Sequence, residues 1–284
     1  MKRLAMLLLL LACAAGADSP DPGAPTAYAG NGALSAAVDA GGRVVSVQWP
    51  RPGEHDQVWN PGPDGLAEPA GLAWGVDTGG GPRWLHTEPA QVQWLVDGAA
   101  PMVETVHRFA GIEATQTVFV FPTLDLLVCH IEVSGVAEPP RFIFRGAWAP
   151  CTRALPALPV AGWALDYANA FAAFTDPDVG IAHVFAPRTA NASARERAAR
   201  LAARNAPPAD WDGFEPGVWI ATAAEEGAVR LGVRGMEEPG QTQDMSLLHA
   251  ATGPACVYVE PNAGEEGGRW SATVYAGFAA RRAG

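Results

Sequence analysis

Three adjacent acidic pairs, Glu225-Glu226, Glu237-Glu238 and Glu265-Glu266, are where a search for hydrolytic chemistry begins, because cleaving a glycosidic bond needs two carboxylates flanking it. Each pair stands beside Gly or Pro, which reads as a solvated turn. In a strand, neighbouring side chains also point to opposite faces and cannot share a site. Glu54-His55-Asp56 pairs a base with an orienting acid, but no nucleophile is marked nearby, and the segment reads as a polar turn. Asp210-Trp211-Asp212-Gly213 has the start of a calcium loop without its later oxygen ligands, so it reads as a turn carrying an aromatic. Gly30-Asn31-Gly32 and Gly79-Gly80-Gly81 lack the following helix and Lys-Ser/Thr of a phosphate loop and are expected to be turns.

No metal or cofactor is expected. The six histidines are scattered singly and there is no C-x-x-C pair. Beyond Cys13, the cysteines Cys129, Cys151 and Cys256 allow one disulfide and one free thiol in an oxidising compartment, or act as small buried apolar residues. Ten tryptophans supply flat rings on which sugars can stack, although large β-sandwiches also bury Trp. Trp59, beside Asn60-Pro61-Gly62, and Trp211 are the two placed in turns.

The elements that must position these groups are short strands. Apolar or alternating stretches recur between Gly, Pro and Asp at 34–38, 43–49, 91–96, 103–109, 114–121, 126–133, 142–148, 180–185, 218–222, 228–233, 255–259 and 270–278. The clearest alternation puts Thr115, Thr117 and Phe119 on one face and Gln116, Val118 and Val120 on the other. With 25 prolines and 32 glycines, long helices are excluded almost everywhere. The exception is residues 193–204 (SARERAARLAAR), expected to be a short, solvated, basic helix inserted between strands. The sequence therefore predicts one all-β domain, a large two-sheet antiparallel sandwich with one inserted helix.

Residues 1–17 read as an export signal, with Lys2 and Arg3 ahead of an apolar run at 4–11 too short to span a bilayer. Two processing sites compete. Leu10-Leu11-Ala12-Cys13 has a lipobox pattern, with lipid on Cys13, and Ala15-Gly16-Ala17 suits ordinary signal peptidase. Residues 14–27 are Pro-rich and suit an extended tether, leaving 28–284 as the domain. The expected location is thus periplasmic or at the outer surface, as a lipoprotein, or alternatively secreted; the N-terminal lipid is the expected membrane link. The net charge of −11, or −13 once Lys2 and Arg3 are gone, argues against nucleic acid as a partner.

Residues 28–51 (YAGNGALSAAVDAGGRVVSVQWPR) carry a Gly-Asn-Gly turn, a strand, Asp-x-x-Gly, a second strand, then Trp49-Pro50-Arg51. This segment resembles the opening of glucoamylase-like glycoside hydrolases of family 15. Residues 115–133 and 270–279 are similar to later strands of the same domain. The resemblance implies a galactose-mutarotase-like β-supersandwich that precedes a catalytic (α/α) barrel, and the barrel's acids have no counterpart positions here. Pro52-Gly53-Glu54 replaces the Phe-Asp-Ser that commonly follows Pro-Arg in that family.

Three functions stay open. The leading one is a non-catalytic carbohydrate-associated domain that binds a sugar or a separate catalytic chain, with Trp49, Arg51, Trp59 and Trp211 as contacts. The second is a sugar-active enzyme, because supersandwiches resemble aldose-epimerase folds that use a Glu base and a His acid; Glu104 or Glu132 with His107 or His130 would then share one sheet face. The third is a surface scaffold with no small ligand.

Overall fold

The computed structural model describes residues 25–50, 52, 56–58, 71–97, 100–148, 171–176, 180–187, 216–232, 247–250 and 255–279. The eighteen strands among the described residues lie in two antiparallel sheets. The first sheet holds β1 (Pro25–Gly30), β2 (Ser35–Asp39), β3 (Val44–Gln48), β4 (Leu72–Asp77), β5 (Arg83–Trp84), β10 (Arg141–Trp148), β14 (Gly227–Gly232) and β16 (Ala255–Pro261). Its order is β1-β2-β3-β4-β10-β16-β14, with β5 added to β4.

The second holds β6 (Ala90–Asp97), β7 (Ala100–Phe109), β8 (Ile112–Val120), β9 (Leu126–Ser134), β11 (Phe171–Asp176), β12 (Ile181–Pro187), β13 (Pro216–Ala224), β15 (Leu247–Ala250), β17 (Gly264–Glu266) and β18 (Arg269–Ala279). Its order is β15-β11-β12-β13-β18-β9-β8-β7-β6, with β17 on β18.

Two-residue alternation decides which side chains enter the core. In β8, Ala114, Gln116, Val118 and Val120 are buried while Thr115, Thr117 and Phe119 are half-buried on the opposite face, as the sequence predicts. In β18 the inward set is Ala272, Val274, Ala276 and Phe278. The first sheet contributes the large rings. Trp74 meets Phe144 edge-on at 5.0 Å, and Trp148 meets Phe278 across the sandwich at 5.8 Å. The two-sheet sandwich expected from the sequence is thus the observed architecture.

The twelve expected strands are all present, with ends shifted by a few residues. Strand β1 begins at Pro25, so residues 25–27 of the expected tether belong to the sheet. Strands β4, β5, β11, β15 and β17 were not expected; β4 is the one that enters the centre of its sheet. Gly75 in its middle weakens the sequence signal, and it is there because the Trp84 ring lies over it, 3.3 Å from where a Cβ would stand. The expected helix at 193–204 lies outside the described residues.

The hairpin β2–β3 explains the Asp-x-x-Gly pattern. Asp39 Oδ1 accepts the amides of Gly41 and Arg43, each at 2.9 Å, and Asp39 Oδ2 meets Arg43 Nη2 at 3.2 Å; both side chains are about 5% exposed. The tip is pressed against the second sheet. A Cβ on Gly42, whose φ is +79°, would stand 2.7 Å from the Gln116 amide nitrogen and 2.8 Å from the Thr105 methyl.

Asn31 does a different job in the Gly-Asn-Gly turn. Its Oδ1 accepts the amides of Ala33 and Leu34, and its Nδ2 donates to the carbonyls of Phe121 and Leu124 at 3.0 Å each. The turn therefore ties the first sheet to the β8–β9 connection. Asn31→Asp would set an oxygen against both carbonyls, and the expected loss is about 1–2 kcal/mol in a thermal melt at neutral pH.

Candidate functional site

Of the four residues expected to contact a sugar or a partner, Trp49, Arg51, Trp59 and Trp211, only Trp49 is described. It follows β3 and is 5% exposed, with its ring 6.4 Å from Phe278 and its Nε1 donating to Asp125 at 2.8 Å. Its carbonyl accepts from Gln57 Nε2 at 2.9 Å. Trp49 thus closes one end of the core and offers no open ring face to a ligand. Arg51, Trp59, Trp211 and Cys13 lie outside the described residues, as do Glu54, His55, Glu237, Glu238 and Cys151.

Asp56, the last residue of the Glu-His-Asp run, is buried and accepts the amides of Val47 and Val58 at 3.1 Å each. Burial pushes its carboxyl up to about 6 against the pull of those hydrogen bonds. Its role is to pin the chain after Trp49 onto β3. Cys129 and Cys256 are buried thiols on different sheets, not a disulfide, and burial pushes the Cys129 thiol up to about 12.

Several polar side chains line up on the outer face of the ten-stranded sheet. Register aligns Gln93, Glu104, Thr117, His130 and Thr273 in one row across β6, β7, β8, β9 and β18. The next row in one direction is apolar, Met102, Phe119, Val128 and Tyr275; in the other it is Val106, Thr115, Glu132 and Ser271. Gln93 donates to Glu104, and His130 Nδ1 shares a hydrogen bond with Thr273 Oγ1 at 2.8 Å. Glu132 faces His130 Nε2 at 3.6 Å through Oε1 and accepts from Arg269 at 3.0 Å through Oε2.

Of the four residues proposed for acid–base work, Glu132, His130 and Glu104 share this face. His107 does not. It points into the sandwich, 0% exposed, with its Nε2 at 2.5 Å from the Gln116 amide nitrogen, and burial pulls it down to about 4. The His130–Glu132 contact is direct and is flanked by Thr273 and Arg269. A base and an acid that act on one sugar carbon must leave the substrate between them, and these two leave no such gap.

At one margin of this face is a hollow of about 210 Å³ whose polar lining is Glu225, Glu226, Asn262, Ser271 and Thr273. The β13–β14 turn holds it in shape, since Glu226 accepts the Asn262 amide at 3.0 Å and the Asn262 side chain at 3.3 Å. Glu225 and Glu226 are exposed, as the sequence reading requires. A second hollow, about 540 Å³, lies between Asp77 and Arg141, where Arg141 is held by Glu260 at 2.7 Å. Among the described residues no three His, Cys, Asp or Glu side chains are grouped to hold a metal ion.

Sequence reading passed over Tyr275 and Thr273. The alternation of 270–278 was the available signal, because it sets Thr273 and Tyr275 on the face opposite Val274 and Phe278.

The fold and this face define a two-sheet antiparallel β-sandwich with one polar outer face. No family model matches the chain, and no curated protein matches it in sequence. Among solved structures, a bacterial glucoamylase complexed with acarbose matches 94% of this chain and 34% of its own, with a TM-score of 0.52 and 8% identity. A TPR-domain containing protein from Parabacteroides distasonis matches 90% of this chain and 47% of its own, with a TM-score of 0.50 and 11% identity. The likeness is one of fold, and this chain spans between a third and a half of the length of those proteins.

Proposed function

We propose that the chain is an exported, non-catalytic, carbohydrate-associated β-sandwich domain of the glucoamylase N-terminal kind, which binds a sugar or a separate catalytic chain. The observation that carries this reading is the match of 94% of the chain to about a third of a bacterial glucoamylase. The 28–51 segment adds to it, since its Asp-x-x-Gly hairpin and Trp49 turn have structural reasons to be kept. The closed His130–Glu132 contact speaks against those two acting as acid and base on one sugar carbon. The test is affinity electrophoresis against soluble glucans and cell-wall sugars; migration unchanged across the panel would remove the sugar version.

A sugar epimerase is the second reading, favoured by the shared face of Glu132 and His130. The expected result is that the protein does not speed the optical-rotation change of fresh α-glucose and that Glu132→Gln leaves the trace as it was. A clear acceleration abolished by that substitution would establish the enzyme instead. Export through a lipobox is tested by fatty-acid labelling, which Cys13→Ala should abolish.

A further inference from the structure

We infer that the outer face of the ten-stranded sheet is a binding track for an extended, neutral polysaccharide lying across the strands, its rings on Phe119 and Tyr275 and its hydroxyls on the row from Gln93 to Thr273. This rests on the carbohydrate reading above and gives it a place and a ligand geometry.

Three observations carry it. First, the polar row and the apolar row run side by side. Strands stand ~4.8 Å apart, so the five-strand polar row is about 19 Å long. A pyranose chain has the same two-sided character, with an edge of hydroxyls beside apolar ring faces. The row offers amide, carboxylate, hydroxyl and imidazole groups, which donate and accept as sugar hydroxyls require.

Second, Phe119 and Tyr275 flank the smaller Val128, one strand to either side. Their separation is about two strand spacings, roughly 10 Å. That is close to the repeat of a disaccharide in an extended chain, so alternate rings meet an aromatic platform. Both residues are half-buried in the sheet, while Val128 between them is 4% exposed. A fixed ring costs less entropy to use than a mobile one.

Third, charge selects the ligand. The chain carries a net charge of −11, and on this face Glu132 is balanced by Arg269 and Glu113 by Arg108. Among the described residues of this face, both Arg108 and Arg269 are thus taken up by carboxylates, which leaves little to attract a polyanion. Among the described residues the large exposed rings are Tyr28, Trp94 and Phe121; Tyr28 and Trp94 lie on the edge strands β1 and β6, away from this row, and they serve as controls.

The test uses the full-length protein in native gels containing hydroxyethylcellulose, soluble starch or carboxymethylcellulose. Hydroxyethylcellulose is expected to retard the wild type, and Phe119→Ala and Tyr275→Ala should each weaken that binding about tenfold or more. Phe119→Tyr and Tyr275→Phe keep a ring and should stay within about threefold, which separates loss of the platform from loss of the fold. Tyr28→Ala and Trp94→Ala should not change it. Retardation that survives both ring deletions, or that is lost in Trp94→Ala, overturns the placement and leaves the carbohydrate reading intact. Preference for starch or for anionic carboxymethylcellulose overturns the extended neutral ligand. Wild-type migration unchanged in every gel defeats the carbohydrate reading itself.

Discussion

Asp39→Ala is expected to cost about 3–5 kcal/mol, read as the shift in a urea unfolding curve at pH 7, because it removes one member of the buried Asp39–Arg43 pair. Asp39 accepts the amides of Gly41 and Arg43 as well as the Arg43 side chain, so the change also opens the turn that presses Gly42 against Gln116 and Thr105. The comparison is Glu113→Ala. Its pair with Arg108 is shorter, 2.7 Å against 3.2 Å, but the two side chains are 43% and 60% exposed, and water screens them. That variant should lose no more than about 0.5 kcal/mol. Equal losses in the two variants would show that burial does not set the value of the Asp39–Arg43 pair.

The second large effect is in pH dependence, where two buried groups oppose one another. Asp56 is raised from 3.8 to about 6, so the native state holds its proton more tightly than the unfolded chain does. Its contribution is complete below pH 3.8 and is lost as the pH rises through 6. His107 is lowered from 6.5 to about 4, so its contribution is complete above pH 6.5 and is lost as the pH falls through 4. Each shift of about two units corresponds to roughly 3 kcal/mol.

In the wild type the two slopes run against each other between pH 4 and 6.5. Asp56→Asn keeps an oxygen for the Val47 and Val58 amides and removes the buried charge. Relative to the wild type, this variant should gain stability as the pH rises through the window, by up to ~3 kcal/mol at pH 7. His107→Gln should do the reverse and lose ground over the same range. Urea midpoints from pH 4 to 7.5 read both, and variant curves parallel to the wild type would defeat the argument.

Local patterns carried much of the fold into the sequence. The alternation from Thr115 to Val120 fixed which side chains face the core, and the Gly-Asn-Gly and Asp-x-x-Gly signals fixed two turns, because each depends on residues a few positions apart. The candidate face was hidden for the opposite reason. His130 and Thr273 are 143 residues apart in the chain and meet only through the register of β9 on β18.

Trp49 shows a related limit. An aromatic before proline in a turn-rich segment has the same sequence signature whether it is exposed or folded inward, and the contact that buries it comes from Phe278 at the far end of the chain. The burial of His107 was equally unreadable, since it rests on Gln116 across the β7–β8 pair.

The strand order also dictates when this chain can fold as a ribosome makes it. Strand β18 sits between β13 and β9, and β16 sits between β10 and β14, so the interior of each sheet is filled by residues from the last thirty positions described. Until those residues are made, β9 and β13 have no common neighbour and β10 has an open edge. Pairings this distant in sequence form late and all together. The hairpins β1–β2–β3 and β6–β7–β8–β9 can pair as they are made, but neither sheet closes into one piece until β16 and β18 take their places.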